Sequence, residues 1–152
     1  MLHSLKKQLS VFDLHLLVGT PDVSTMKNIF AYLEPMGYQL DSAANSDEVH
    51  NCLKTSSYEA IILDAQLTDQ NGIPLYTCLR ISNVASPIIL LTPDTTLENL
   101  PRYLNGGADD IVTSPLHLLE LEARVLASIR LARAHLASTK LSWAGIELDS
   151  LA

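Results

Sequence analysis

Asp64 ends the apolar run AIILD, Thr92 ends PIILLT, and Ser114 stands in the polar tail of GADDIVTSP. Gly19 and Thr20 close a further apolar stretch, LLVGT. If these runs are strands of an open α/β sheet, their carboxyl ends face the functional crevice. The crevice then holds one carboxylate and several hydroxyls, and no cation. A lone carboxylate can accept a phosphoryl group or ligate a metal only with help from compensating charge. It can also accept hydrogen bonds from hydroxyls and backbone amides as a structural feature in its own right. Asp64 and Ser114 can share a hydrogen bond, directly or through water, but they are poor partners for phosphate chemistry. The plain alternative is that a strand ends in polar residues because the chain must turn there.

The elements that must position these residues follow from periodicity. Five apolar runs read as strands, at 14–18, 38–43, 60–63, 87–91 and 110–113. Between them lie segments of helical period. Met26, Ile29, Phe30 and Leu33 share one face, and Pro35 and Gly37 stop that helix. Ser46 reads as an N-cap for a short stripe of Val49, Cys52 and Leu53. Pro74 fits an early helical position before Leu75, Tyr76 and Leu79. Pro101 forces the fourth helix to start beside it or to kink. The last helix spans 116 to about 137, with Leu118, Leu121, Val125 and Ile129 facing one way. Strands alternating with helices imply an α/β fold, a doubly wound five-stranded parallel sheet of order 2-1-3-4-5 with helices on both faces.

The chain of 152 residues, 47% hydrophobic and 18% charged, suits one globular domain. No apolar run approaches the roughly 20 residues of a membrane helix, so no membrane contact is expected. The N-terminal residues lack a signal-peptide pattern. Cys52 and Cys78 share no metal or redox spacing and read as reduced thiols of a cytoplasmic protein. A net charge of −7 argues against this chain gripping nucleic acid by itself.

Spacing adds more. Gly72 follows Asp64 by eight residues in LDAQLTDQNGIPL, GADD precedes TSP, and Pro115 stands twenty-three residues past Thr92. On these residues the sequence resembles the receiver (CheY-like) domain of two-component response regulators, and more narrowly that of the OmpR/PhoB class of transcription factors. The resemblance covers residues 13–137. Residues 138–152, with Trp143 and Gly145 followed by an alternating Ile146 and Leu148, look like a linker and the first strand of that class's winged-helix DNA-binding domain. The resemblance implies that Asp64 occupies the phospho-acceptor position and Thr92 the switch hydroxyl position.

The departures from the family change the expected chemistry. Where the family carries acidic residues that hold Mg²⁺, this chain has Gly19 and Thr20, with Asp22 following a proline. Ser114 replaces the lysine before the final proline, and Ile111 replaces the switch aromatic. A lysine 4 Å from a phosphoryl oxygen contributes roughly 4 kcal/mol at an effective dielectric near 20. A serine hydrogen bond contributes roughly 1 kcal/mol. Phosphoryl transfer is therefore expected to be slowed by orders of magnitude, with no metal or other cofactor and no enzymatic activity.

By position, Asp109, Asp110, Glu120 and Arg124 match charges of the class's dimer face on the fourth helix, fifth strand and fifth helix. Leu100 stands where a basic partner for Glu120 is expected. The expected partners are thus a second copy of the chain, possible protein partners, and DNA only through a missing C-terminal domain. Two alternatives remain. One is a conventional Mg²⁺-dependent phospho-aspartate regulator in which Asp22 completes the metal site. The other is a flavodoxin-like ligand binder that uses VGTPDVST as a phosphate loop. His15, His50, His117 and His135 share no metal spacing. Asp69 reads as turn chemistry or a surrogate anion, and Ser24-Thr25 as a helix start.

Overall fold

The computed structural model describes residues 14–93 and 96–151, excepting the side chains of 97 and 140–151. Five parallel strands, β1 (His15–Gly19), β2 (Gln39–Ala43), β3 (Ala60–Asp64), β4 (Ile88–Thr92) and β5 (Asp110–Thr113), form one sheet of order β2-β1-β3-β4-β5. Five helices alternate with them: α1 (Val23–Leu33), α2 (Ser46–Thr55), α3 (Leu75–Ile81), α4 (Leu100–Asn105) and α5 (Leu118–Leu151). Asp13, the expected start of the domain, lies outside the described residues.

The period of two along each strand builds two cores. Leu16, Val18, Ile62, Ile89, Leu91 and Val112 face one way, with Ile29 of α1 and Leu121, Val125 and Ile129 of α5. Leu17, Ile61, Leu63, Ile88, Leu90 and Ile111 face the other, with Val49 of α2, Leu79 of α3 and Tyr103 of α4. Apolar residues on both faces of one strand explain the continuous runs in β3 and β4. The order reverses between β1 and β3, and the carboxyl ends of those strands frame the crevice.

The α2 cap and the course of residues 138–151 differ from expectation, while α4 starts beside Pro101 as one of the two expected forms. Asn45, not Ser46, caps α2, because its Oδ1 accepts the Glu48 amide at 2.9 Å. Glu48 reaches back to the Ala44 amide, one residue beyond the usual reciprocal box. Pro101 sits in the first turn of α4, where its missing N–H is no loss, so this helix is short and does not kink. Gly107, at φ 125°, lies where a Cβ would come within 2.4 Å of Arg80 Cγ. Residues 138–151, expected as a linker and a strand, continue α5 as helical backbone. A single strand without a ladder leaves its amides unpaired, whereas a helix satisfies them within the segment.

Two polar clusters tie the layers together. Glu122 of α5, 1% exposed, accepts from Tyr38 Oη at 2.7 Å and Tyr32 Oη at 3.4 Å. Arg80 of α3 donates to the carbonyls of Gly107 (2.7 Å), Val84 (2.7 Å) and Ser86 (2.9 Å), and it pairs with Asp109. Among the described residues no helix is long and apolar enough to cross a membrane.

Candidate functional site

β3 delivers Asp64 to the crevice because four buried residues precede it and the chain turns directly after it. Its Oδ1 accepts the Gln66 amide at 2.9 Å, an Asx-type turn. Its Oδ2 accepts from Thr20 Oγ1 at 3.1 Å, across the β1–β3 boundary. Thr20 is buried, and its hydroxyl also accepts the Asp22 amide at 3.2 Å. Both carboxylate oxygens are therefore engaged by neutral donors.

Gly19 is turned away from this carboxylate. A Cβ there would come within 2.8 Å of Leu63 Cδ1 and 3.1 Å of Val49 Cγ2, on the α2 side of the sheet. Of the three positions expected to form the degenerate acidic pocket, the structure brings Thr20 and Asp22 to the crevice and leaves Gly19 in the core. Asp22 is committed to α1 as its N-cap. Its Oδ1 accepts the amides of Ser24 (3.0 Å) and Thr25 (3.4 Å), and its Oδ2 accepts from Thr25 Oγ1 at 3.1 Å. The helix starts at Val23, one residue before the expected Ser24-Thr25, which lie in its first turn, with Asp22 as cap. The same arrangement places a carboxylate where a phosphate would have to sit in the phosphate-loop alternative.

A cavity of about 360 Å³ opens beside Asp64, lined among others by Asp22, Gln66, Thr92 and Ser114, and, among the described residues, by no lysine or arginine. Ser114 shares the cavity with Asp64. The direct partners of the Asp64 carboxylate are Thr20 and Gln66. The Ser114 amide donates to Thr92 O at 3.0 Å, and the Ser114–Pro115 bond is cis. Thr92 is buried, with its hydroxyl 3.5 Å from Tyr103 Oη. Ile111 packs into the core that also holds Tyr103. Gln66 and Tyr103 escaped sequence reasoning. The signal for Gln66 was its place two residues past the acid, where an Asx turn directs its amide back. For Tyr103 it was an aromatic just before a glycine pair.

The family's magnesium ion does not suit these donors. Mg²⁺ takes near-octahedral oxygen ligands, usually one or two carboxylates with waters. Here one carboxylate already accepts from a hydroxyl and an amide, and the nearest other acid holds a helix terminus. Among the described residues no three His, Cys, Asp or Glu side chains group as a metal site.

The charged face expected on the last strand and helix is organised within the chain. Arg124 donates to Asp110 at 3.1 and 3.2 Å and to Glu120 at 3.0 Å. Those bonds, to Glu120 first and Asp110 second, hold the guanidinium pKa above its ordinary value. Asp109, though exposed, is engaged within the chain, accepting the Ile88 amide at 2.8 Å beside Arg80. Leu100 and Leu104 of α4 and Leu119 of α5 are exposed. His15 pairs with Asp41 at 2.9 Å and packs at a tilt against the Tyr58 ring, with centroids 4.6 Å apart. Asp69 is turn chemistry: its Oδ1 accepts the amides of Asn71 and Ile73, both at 2.9 Å. Its pKa is lowered, chiefly by the Ile73 amide. Cys52 and Cys78 are free thiols.

Comparison with known proteins agrees with this fold. The family model for the response regulator receiver domain matches residues 21–126. The cell cycle transcriptional regulator CtrA of Caulobacter vibrioides is 29% identical over 122 residues, 80% of this chain and 53% of the relative. The transcriptional regulatory protein CusR of Escherichia coli is 32% identical over 134 residues, 88% of this chain and 59% of the relative. The chain thus spans little more than half the length of these relatives. Among solved structures, the receiver domain of the Francisella response regulator 1452 superposes with a TM-score of 0.71 at 28% identity, covering 78% of this chain and 98% of that one. A parallel sheet of this order, an acid at the end of β3 and a family match across most of the chain lead to one conclusion: the chain belongs to the response regulator receiver family.

Proposed function

We propose that this chain is the receiver part of a cytoplasmic, DNA-binding transcription regulator that signals without ordinary aspartyl phosphorylation. It acts through dimerisation or binding of a protein partner. The observation that carries this reading is the state of Asp64: both its oxygens accept from neutral donors, in a cavity that no lysine or arginine among the described residues lines. A dianionic phosphodonor approaching that carboxylate meets uncompensated charge, the term that dominates phosphoryl-transfer barriers. The position of Tyr103 supports the same reading. Its phenol already stands beside Thr92 while Ile111 is packed away, so the switch region is filled without a modification to draw it inward.

The dimer belongs to this proposal. The exposed Leu100, Leu104 and Leu119 form the apolar part of the α4–β5–α5 face, and Asp110, Glu120 and Arg124 form its charged rim. An isologous contact buries those leucines against their counterparts. The transcription-regulator names of the relatives support DNA contact outside the span described here, as does the charge of −7. Intact-mass measurement after incubation with acetyl phosphate and Mg²⁺ tests the reading. The unmodified mass is expected. Near-stoichiometric gain of one phosphate, lost in Asp64→Asn, would contradict it.

A further inference from the structure

A second cleft, of about 450 Å³, lies between α3 and α4 on the far side of Thr92 and Gln66 from the Asp64 cavity, and both residues line both spaces. Its wall is made by Tyr76 and Tyr103, whose rings meet edge-on with centroids 6.2 Å apart, and by Pro74 and Pro93. Its mouth carries Arg102. Arg80, Arg124 and Arg133 each meet a carboxylate within the chain. The guanidinium of Arg102 instead lies 5.2 Å from the centroid of the Tyr103 ring, with Nη2 3.5 Å from Tyr103 Oη. Among the described residues no carboxylate pairs with it. An exposed cation held on an aromatic ring, at the mouth of an apolar cleft with hydroxyls at its back, describes a ligand of complementary parts. These parts are a flat apolar body against the tyrosines and prolines, and one carboxylate for the planar fork of the arginine. The volume falls in the range of small-molecule sites, roughly 300–1,000 Å³.

We infer that the α3–α4 cleft binds a small aromatic carboxylate, with Arg102 as its counter-ion. The site differs from the Asp64 cavity in chemistry as well as place: it has the cation that the other lacks. Coupling between them passes through Tyr103, which touches Arg102 on one side and the Thr92 hydroxyl on the other. A ligand that draws the guanidinium toward the cleft alters the support of the Tyr103 phenol, and with it the contact to Thr92 and the seat of α4. The role of such a ligand as the regulator's input rests on the phosphorylation-independent reading above; the binding itself does not.

The full chain, ¹⁵N-labelled, is titrated with benzoate, salicylate and 4-hydroxybenzoate, and with benzylamine as the charge-reversed control. The expected result is saturable amide shifts centred on Thr77, Arg102, Tyr103 and Gly106, absent with benzylamine. Arg102→Gln, which changes an exposed side chain, weakens binding by about tenfold or more, and Asp64→Asn leaves it intact. Three results overturn the inference: no saturation with any of the acids up to about 10 mM, well above the ~1 mM Kd of a weak fragment; an equal response to benzylamine; or shifts centred on Asp64 and Ser114. Phosphorylation of Asp64 in the mass experiment would remove the functional reading and leave this binding result standing, so the two failures are distinguishable.

Discussion

Replacing Thr20 by aspartate tests whether one missing acid is what denies the crevice its metal. Thr20 Oγ1 lies 3.1 Å from Asp64 Oδ2. Thr20→Asp removes that donor and sets a second carboxylate at about the same distance. Two unit charges there repel by roughly 5 kcal/mol at an effective dielectric near 20. Part of this is relieved by proton uptake or by rotation toward solvent, so a loss of stability of about 1–3 kcal/mol is expected without divalent ions. Magnesium then has two carboxylates to bind. At ten times its dissociation constant it returns about 1.4 kcal/mol, which for a domain of this size raises the melting temperature by roughly 3–6 °C. The assay is thermal unfolding of both proteins with EDTA and with Mg²⁺. The native protein is expected to melt at the same temperature in both. A native protein stabilised by Mg²⁺ as much as the variant, or a destabilised variant that Mg²⁺ does not rescue, would refute the reasoning.

Other outcomes follow from the polar clusters and the exposed leucines. Tyr38 and Tyr58 have phenol pKa values raised, first by burial and then by the carboxylates of Glu122 and Asp41. Below the ordinary phenol value of about 10 both the folded and unfolded chains keep these protons. Above it the unfolded chain ionises first, so stability falls as pH rises; urea midpoints are expected to drop beyond about pH 10, and less steeply in Tyr38→Phe. At neutral pH that substitution takes the 2.7 Å donor from buried Glu122 and costs about 1–3 kcal/mol by urea unfolding. Arg80→Met removes donors to three carbonyls and the partner of Asp109, and is expected to lower stability by about 2–4 kcal/mol; an unchanged midpoint would show the clasp to be idle. Leu104→Glu places a charge on the apolar part of the α4 face and is expected to convert a dimer to a monomer in sedimentation, with the fold unchanged by circular dichroism.

The strands were legible because doubly covered strands must be apolar throughout, as in Ile61–Ile62–Leu63 and Ile88 to Leu91. The proline and glycine stops around α1 and α4 were legible for steric reasons. The α5 stripe of Leu121, Val125 and Ile129 was readable from helical period alone. The length of α5 was not, since the alternation of Ile146 and Leu148 is too short to separate strand from helix. At the site, the neutral character of Gly19, Thr20 and Ser114 could be read from residue type. Their contacts could not. The Thr20–Asp64 bond depends on β1 lying beside β3, forty-four positions apart in the chain. The commitment of Asp22 depends on the helix starting at the next residue, which made a candidate ligand into a cap. The pairs of Tyr38 with Glu122 and of Arg80 with Asp109 join residues far apart in sequence, with no periodic trace. Tyr103 beside Thr92 is legible only once α4 is seated.

The most direct measurement is a titration of the native protein with Mn²⁺, which shares the oxygen-ligand preference of Mg²⁺, read by paramagnetic broadening of amide resonances. No saturable broadening centred on Asp64, Ala65 and Gln66 is predicted, because the carboxylate has a hydroxyl and an amide as its partners and the other acid of its cavity, Asp22, is held as the cap of α1. Selective, saturable loss of those resonances, reversed by excess Mg²⁺ and abolished by Asp64→Asn, would contradict the account.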